Sequence, residues 1–135
     1  MYWFGEGTHP KPYDFRPGLS FFRIPDAQAQ HARIAFAVLN PFLKDEIDPR
    51  DLEQILDDAY DDRVIPTTIQ HVSGETSIMW LSKGPTYSFK DYAARFFARI
   101  LNYFLKRSGC RRVVAVATSG DTGGAVADAL HRQES

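Results

Sequence analysis

Hydrophobic spacing predicts that the second half of the chain alternates between strands and helices. Residues 78–82 and 113–117 are short apolar runs typical of strands, and residues 125–131 have helical spacing. Between the two strands, a longer helical pattern runs from Ser88 to about Arg107. Its apolar positions are Phe89, Tyr92, Ala93, Phe96, Phe97, Ile100, Leu101, Phe104 and Leu105. This order predicts the start of a parallel βαβα unit with a right-handed crossover.

Two helices are predicted in the first half of the chain. Asp26 is a candidate N-cap for a helix that continues to about Leu39 and ends before Pro41. The pair Asp48-Pro49 is typical of a cap followed by the first helical residue, and it predicts a second helix reaching about Tyr60. Both helices are interpreted as structural.

The fold class predicted from these patterns is α/β. Residues 67–72 are typical of a strand, and residues 73–76 predict a turn into the next strand. We therefore divide the chain into a mainly helical region, residues 1–76, and a partial α/β domain, residues 77–135.

Composition restricts the possible partners. The chain has 44% hydrophobic residues and a formal charge of −1, so neither nucleic acid nor an anionic membrane is expected to bind it. No signal peptide or transmembrane run is evident, which predicts a cytoplasmic protein. No metal site is predicted, because the acidic residues Asp57, Asp58, Asp61 and Asp62 lack a histidine or cysteine at ligand spacing.

Lys90 is the first candidate for chemistry. Ser88 and Asp91 have the spacing of a helix cap with a reciprocal carboxylate, which places Lys90 in the first helical turn. The helix dipole disfavours an ammonium there by about 0.3–1 kcal/mol. A lysine held toward its neutral form suits Schiff-base chemistry with a carbonyl cofactor. The alternative interpretation is a solvated lysine near a helix cap.

A second loop supplies candidate groups for binding an anion. It follows the 113–117 run and precedes a predicted helix, so its amides and the helix dipole favour a phosphate or carboxylate. The spacing of its glycines fits neither the dinucleotide fingerprint nor the Walker pattern. The candidate anion-binding residues are Thr118, Ser119, Gly120, Asp121 and Thr122. Because parallel strands end at one edge of a sheet, Lys90 and this loop are expected to face one pocket.

Two motifs resemble those of threonine synthases, which are fold-type II enzymes that use pyridoxal 5′-phosphate (PLP). They are Gly-Pro-Thr-Tyr-Ser-Phe-Lys-Asp at 84–91 and Ala-Thr-Ser-Gly-Asp-Thr-Gly at 117–123. Residues 18–25 and 39–47 resemble the family's N-terminal region. The resemblance implies that Lys90 is the Schiff-base lysine and that residues 119–122 meet the substrate carboxylate and the cofactor. Asp121 replaces the asparagine of many relatives, and its contact with the cofactor oxygen stays open because two negative groups repel each other.

The implied reaction is that of a carbon–oxygen lyase acting on O-phospho-L-homoserine. Water adds at the β-carbon, phosphate leaves from the γ-carbon, and L-threonine is the product. Family members are much longer, so the chain resembles an N-terminal portion. It lacks the loop that grips the cofactor phosphate, and we expect it to be inactive alone, with self-association or binding of the missing C-terminal part.

Two other functions fit the same motifs. A threonine-synthase-like phospholyase, or another fold-type II lyase, would keep Lys90 but release a keto acid. A noncatalytic remnant or interaction module would keep the motifs without a complete cofactor site.

Overall fold

The computed structural model describes residues 31–131 and 133. The elements in chain order are α1 (His31–Leu43), α2 (Pro49–Ala59), β1 (Thr68–Ser73), β2 (Thr76–Trp80), α3 (Lys90–Ser108) and α4 (Asp121–His131). The predicted cap at Asp26 and the family-like segment 18–25 lie outside the described residues. None of the described helices is long and apolar enough to cross a membrane.

The helix predicted after Asp48 is confirmed, and the end predicted for the preceding helix is wrong. Asp48 Oδ1 accepts a hydrogen bond from Arg50 N at 2.9 Å, with Pro49 at the first helical position. By contrast, α1 continues through Pro41 to Leu43. A proline this near a helix end removes a single backbone bond, and the last turn is closed by Lys44 N donating to Asn40 O at 3.0 Å.

The main core lies between α1, α2 and α3. Leu52 and Leu56 of α2 are fully buried, together with Ile47 of the α1–α2 connection and Ala32 of α1. Partly buried side chains from the two flanking helices pack around them: Phe36, Leu39, Phe96, Ile100 and Tyr103. Leu52 and Leu56 of α2 therefore lie at the centre of this core.

The buried face of α3 differs in part from the apolar face predicted for it. Small and charged residues, Asp91, Ala94, Arg95 and Ala98, are buried there, whereas Phe97 and Phe104 are exposed. Phe96 and Ile100 of the predicted apolar positions are partly buried against the main core. The reason is that α3 contacts α2 on one side and α4 on another, and close helix packing selects small residues. Arg95 Nε and Nη2 donate to Ala59 O and Asp58 O at 2.8 and 3.0 Å, joining α3 to the C-terminal end of α2.

The parallel βαβ unit predicted from the sequence is not present among the described residues. Instead β1 and β2 form an antiparallel hairpin, with Thr68 opposite Trp80 and Gly74 in the left-handed region at φ 55°. Pairing neighbouring strands across a short turn costs little chain entropy, whereas a parallel pair needs a long crossover. Residues 113–117 form no strand, and Val113 is 97% exposed.

The hairpin is exposed along its whole length. Every residue of β1 and β2 is exposed, and the two strands pack against each other rather than against a described helix. The boundary proposed between residues 76 and 77 falls inside β2, and the division into two domains stays a prediction.

Candidate functional site

The segment before Lys90 is a tight loop at the start of α3. Tyr87 N donates to Gly84 O at 3.1 Å, and Asp91 N donates to Ser88 O at 3.1 Å. Tyr87 has a φ of 58°, a conformation that non-glycine residues rarely adopt, and its side chain is 81% exposed. The loop is thus held in a specific and locally strained shape.

Asp91 is buried, but its hydrogen-bond partner differs from the one expected. Its Oδ2 accepts from Thr86 N at 3.0 Å and its Oδ1 accepts from Thr86 Oγ1 at 2.5 Å. The predicted reciprocal bond to Ser88 is replaced by one from Lys90 N to Ser88 Oγ at 3.2 Å. Sequence reasoning therefore missed Thr86, whose position five residues before a first-turn carboxylate was the available signal.

Gly84 leaves the space that the Asp91 carboxylate occupies. A Cβ added at Gly84 would overlap Asp91 Oδ2 and would lie 3.0 Å from Asp91 Cβ and Cγ. Real Cβ atoms essentially never approach another heavy atom as closely as that oxygen. The glycine of the first motif is thus required by packing against Asp91.

Lys90 is the first residue of α3, as the sequence predicted. Its side chain is partly exposed, and Nζ lies 4.5 Å from the centroid of the Phe89 ring. Phe89 is itself exposed. The amine can therefore be reached from solvent at the helix N-terminus, beside an aromatic face that attracts cations.

The second candidate loop is shorter than predicted, because α4 begins at Asp121. Asp121 and Thr122 lie in the first turn of the helix, and Gly120 N donates to Thr118 Oγ1 at 3.2 Å. Thr118, Ser119, Gly120 and Asp121 are exposed. The first-turn amides of α4 have no acceptor within their own helix, so they remain available for an anion.

The packing of α3 against α4 brings the two helix starts to the same end. Asn102 Nδ2 donates to Gln133 Oε1 at 3.3 Å, across a separation of 31 residues. The same separation relates Ala94 to Ala125 and Ala98 to Ala129, which form the buried cluster between the helices. Because Asn102 lies in the C-terminal half of α3 and Gln133 follows the C-terminal end of α4, their hydrogen bond indicates that the two helices run parallel. Lys90 and Asp121, which have this separation too, therefore start neighbouring parallel helices.

The expected shared edge of a parallel sheet is not what brings these residues together. Among residues 31–131 and 133, the packing of α3 against α4 brings them together. The carboxyl ends of parallel strands play no part there. Lys83 lies just before the first motif, with its Nζ 5.7 Å from the Trp80 ring centroid. In the same described part, no group of three or more His, Cys, Asp or Glu side chains could hold a metal ion.

An aromatic cluster lies next to the first turn of α3. The His31 ring stacks on Tyr60 and Tyr92 with centroid distances of 4.4 and 5.3 Å, and Nδ1 lies 3.2 Å from Thr67 Oγ1. Burial lowers the pKa of His31, and the Asp62 carboxylate partly opposes that effect. Burial also raises the pKa of Tyr60 and Tyr92.

The lowered pKa of His31 predicts a loss of stability in acid. As the pH falls, the unfolded chain binds a proton at His31 before the folded chain does. The contribution of His31 to the free energy of unfolding is therefore fully present above the ordinary histidine pKa. It is then lost as the pH falls through the lower folded pKa. We expect the free energy of unfolding to fall more between pH 8 and pH 5 in the unmodified protein than in His31→Phe, which keeps a stacked ring. Equal falls in urea titrations would contradict this prediction.

Comparison with known proteins identifies what the chain is related to. No protein-family model matches it. Threonine synthase from Pseudomonas aeruginosa is 36% identical over 103 residues, covering 73% of this chain and 22% of the relative. The crystal structure of PLP-bound threonine synthase from Brucella melitensis matches with a TM-score of 0.71 at 34% identity, covering 79% of this chain and 24% of that chain. This chain is homologous to threonine synthase.

The homology to threonine synthase covers only part of the relatives. Threonine synthase from Saccharomyces cerevisiae is 36% identical over 108 residues, which cover 68% of this chain but 21% of the relative. Threonine synthase-like 1 from Mus musculus is 47% identical over 58 residues, or 43% of this chain and 8% of the relative. The chain thus spans about a fifth of the length of the threonine synthases that it matches. The family prediction made from the two motifs is confirmed.

Proposed function

We propose that this chain carries the lysine-bearing part of a PLP-dependent threonine synthase. The observation that supports the proposal most is the pairing of two helix starts, one with Lys90 and one with the residues from Thr118 to Thr122. The whole reaction takes O-phospho-L-homoserine and water to L-threonine and phosphate. Since the chain spans about a fifth of its relatives, we expect no turnover from these 135 residues alone.

The donor set at the two helix starts fits an anionic aldehyde such as PLP. A solvent-accessible primary amine can bond to an aldehyde carbon, and the free amides at the start of α4 can donate hydrogen bonds to an anionic oxygen. When bound, PLP supplies the electron sink for the reaction. Lys90 would hold the cofactor through its amine and, once the substrate amine took its place, would move protons at the substrate α-carbon.

Residues at the start of α4 are proposed to bind the substrate. Thr118, Ser119, Gly120 and Thr122 lie at or just before this helix N-terminus, and we assign them to the substrate carboxylate, which would take over the Gly120 N–H that Thr118 Oγ1 accepts here. Asp121 is the proposed cofactor-contacting residue of this group. Its exposed carboxylate can approach an anionic oxygen favourably only if a proton lies between them.

Covalent trapping tests the proposal directly. The full chain is mixed with PLP, reduced with borohydride and mapped by mass spectrometry, alongside Lys90→Ala and Lys106→Ala. Lys106 is a matched control because it is an exposed lysine at the opposite end of α3. We expect selective labelling of Lys90 that disappears in Lys90→Ala and persists in Lys106→Ala. Labelling spread over many lysines, and unchanged in Lys90→Ala, would refute the proposal.

A second candidate function is a threonine-synthase-like lyase that releases a keto acid. The observation in its favour is the 47% identity to threonine synthase-like 1 from Mus musculus over 58 residues. Both candidates use Lys90 in the same way, so the trapping experiment does not separate them. Product analysis does: a preparation that releases phosphate from O-phospho-L-homoserine forms threonine in the first case and a keto acid in the second.

A further inference from the structure

A buried carboxylate next to Lys90 has no role in the function proposed so far. Asp91 is 1% exposed, although it directly follows a partly exposed lysine. Burying a carboxylate is costly unless hydrogen bonds compensate for the lost water. Both of its oxygens accept a bond from Thr86, one from the backbone amide and one from the hydroxyl group.

These bonds hold the loop rather than the helix. An ordinary first-turn carboxylate accepts a bond from the backbone N–H of the N-cap residue, which here is Phe89, whereas both Asp91 oxygens accept from Thr86. Asp91 instead reaches back five residues to Thr86, past Tyr87 in its left-handed conformation. A strained residue persists only where its surroundings determine its conformation, and the Thr86–Asp91 pair spans it.

The loop in turn fixes the position of the Lys90 backbone. Ser88 lies between Thr86 and Asp91 in the chain and is itself buried. Its Oγ accepts a hydrogen bond from the Lys90 amide at 3.2 Å. Gly84 packs against the same carboxylate and limits its movement from the other side. The backbone on both sides of Lys90 is therefore held by contacts that depend on Asp91.

We propose that Asp91 is a positioning residue for Lys90, acting through its two hydrogen bonds to Thr86. The proposal rests on the function assigned to Lys90 above. An amine that attacks an aldehyde must be correctly placed, and displacements of about 1 Å can reduce reaction rates up to roughly 100-fold. Loss of either half of the pair should therefore reduce the reactivity of Lys90 selectively, without a matching effect on distant lysines.

The test compares variants on both sides of the pair in the full chain. Asp91→Asn replaces one acceptor oxygen by a donor, Thr86→Val removes the hydroxyl group at nearly constant shape, and Thr86→Ser keeps it. Thr68→Val, in exposed β1, is the control for a threonine outside the site. Circular dichroism first establishes which variants fold, and Thr86→Val serves if Asp91→Asn does not.

Two readouts separate this proposal from the proposed function. The first is the ratio of reduced PLP adduct at Lys90 to that at Lys106, expected to fall roughly tenfold in Thr86→Val and Asp91→Asn and to recover in Thr86→Ser. The second uses acetic anhydride without cofactor and follows the Lys90 to Lys106 acetylation ratio against pH. A changed acetylation profile in Thr86→Val that is absent in Thr86→Ser supports the positioning role, whether or not PLP labels the chain. Absence of PLP labelling in every variant would refute only the proposed function. Unchanged ratios in folded Thr86→Val and Asp91→Asn would overturn the positioning role.

Discussion

Replacing Leu56 by alanine is expected to lower the free energy of unfolding by about 2–5 kcal/mol. Leu56 is 0% exposed and lies in the core that joins α1, α2 and α3. Truncation removes buried apolar contacts and leaves a cavity, because helices held on both sides cannot close fully around it. A loss of this size is a large part of the stability of an ordinary domain.

Urea unfolding followed by circular dichroism measures the effect, with Leu81→Ala as the matched leucine control. Leu81 is 37% exposed and follows the hairpin, so its truncation should change stability by less than about 1 kcal/mol. Similar midpoints for Leu56→Ala and the unmodified chain would mean that the three helices do not form the cooperative core described above.

Replacing Gly84 by alanine is expected to destabilise the loop at Lys90 by about 2–4 kcal/mol. The added methyl group would overlap the Asp91 carboxylate, which cannot move without losing its two bonds to Thr86. Because Gly84 is not in the left-handed region, the expected cost comes from this contact and not from the backbone conformation.

Two further variants identify the source of that cost. Gly124→Ala adds a methyl group inside α4 where no atom lies within 4 Å, so it should stabilise the chain by up to about 1 kcal/mol. In an Asp91→Ala background the nearest clash is gone, and Gly84→Ala should cost less than it does alone. Thermal unfolding is measured for Gly84→Ala, Gly124→Ala, Asp91→Ala and the double variant at Gly84 and Asp91. If the losses of stability at Gly84 and Asp91 simply add in the double variant, the two residues are not in contact.

The parts of the fold that were predicted from the sequence depend on local chemistry. Asp48 and Pro49 define the start of α2, and the turn containing Gly74 defines the hairpin, because caps and turns involve residues close in sequence. Residues 113–117 have a strand-like composition, yet a strand also needs a neighbour, which nothing within those five residues specifies.

The candidate site shows the same division. The position of Lys90 at a helix start followed from spacing alone, and the structure has it there. The partner of Asp91 was assigned to Ser88 because a capping box is the common pattern, whereas the loop geometry selects Thr86. The exposure of Phe97 and Phe104 on α3 has a related reason, since which side of a helix is covered depends on neighbours distant in sequence.

The parallel arrangement of α3 and α4 sets a minimum length for their connection. The chain leaves α3 at Gly109, and it must return along the 19-residue helix before Asp121 can begin α4 beside Lys90. Eighteen helical steps cover about 27 Å, whereas the connecting residues 109–120 reach about 40 Å at full extension. The connection is therefore longer than the return path requires. Shortening it by two residues would still allow Asp121 to begin α4 beside Lys90.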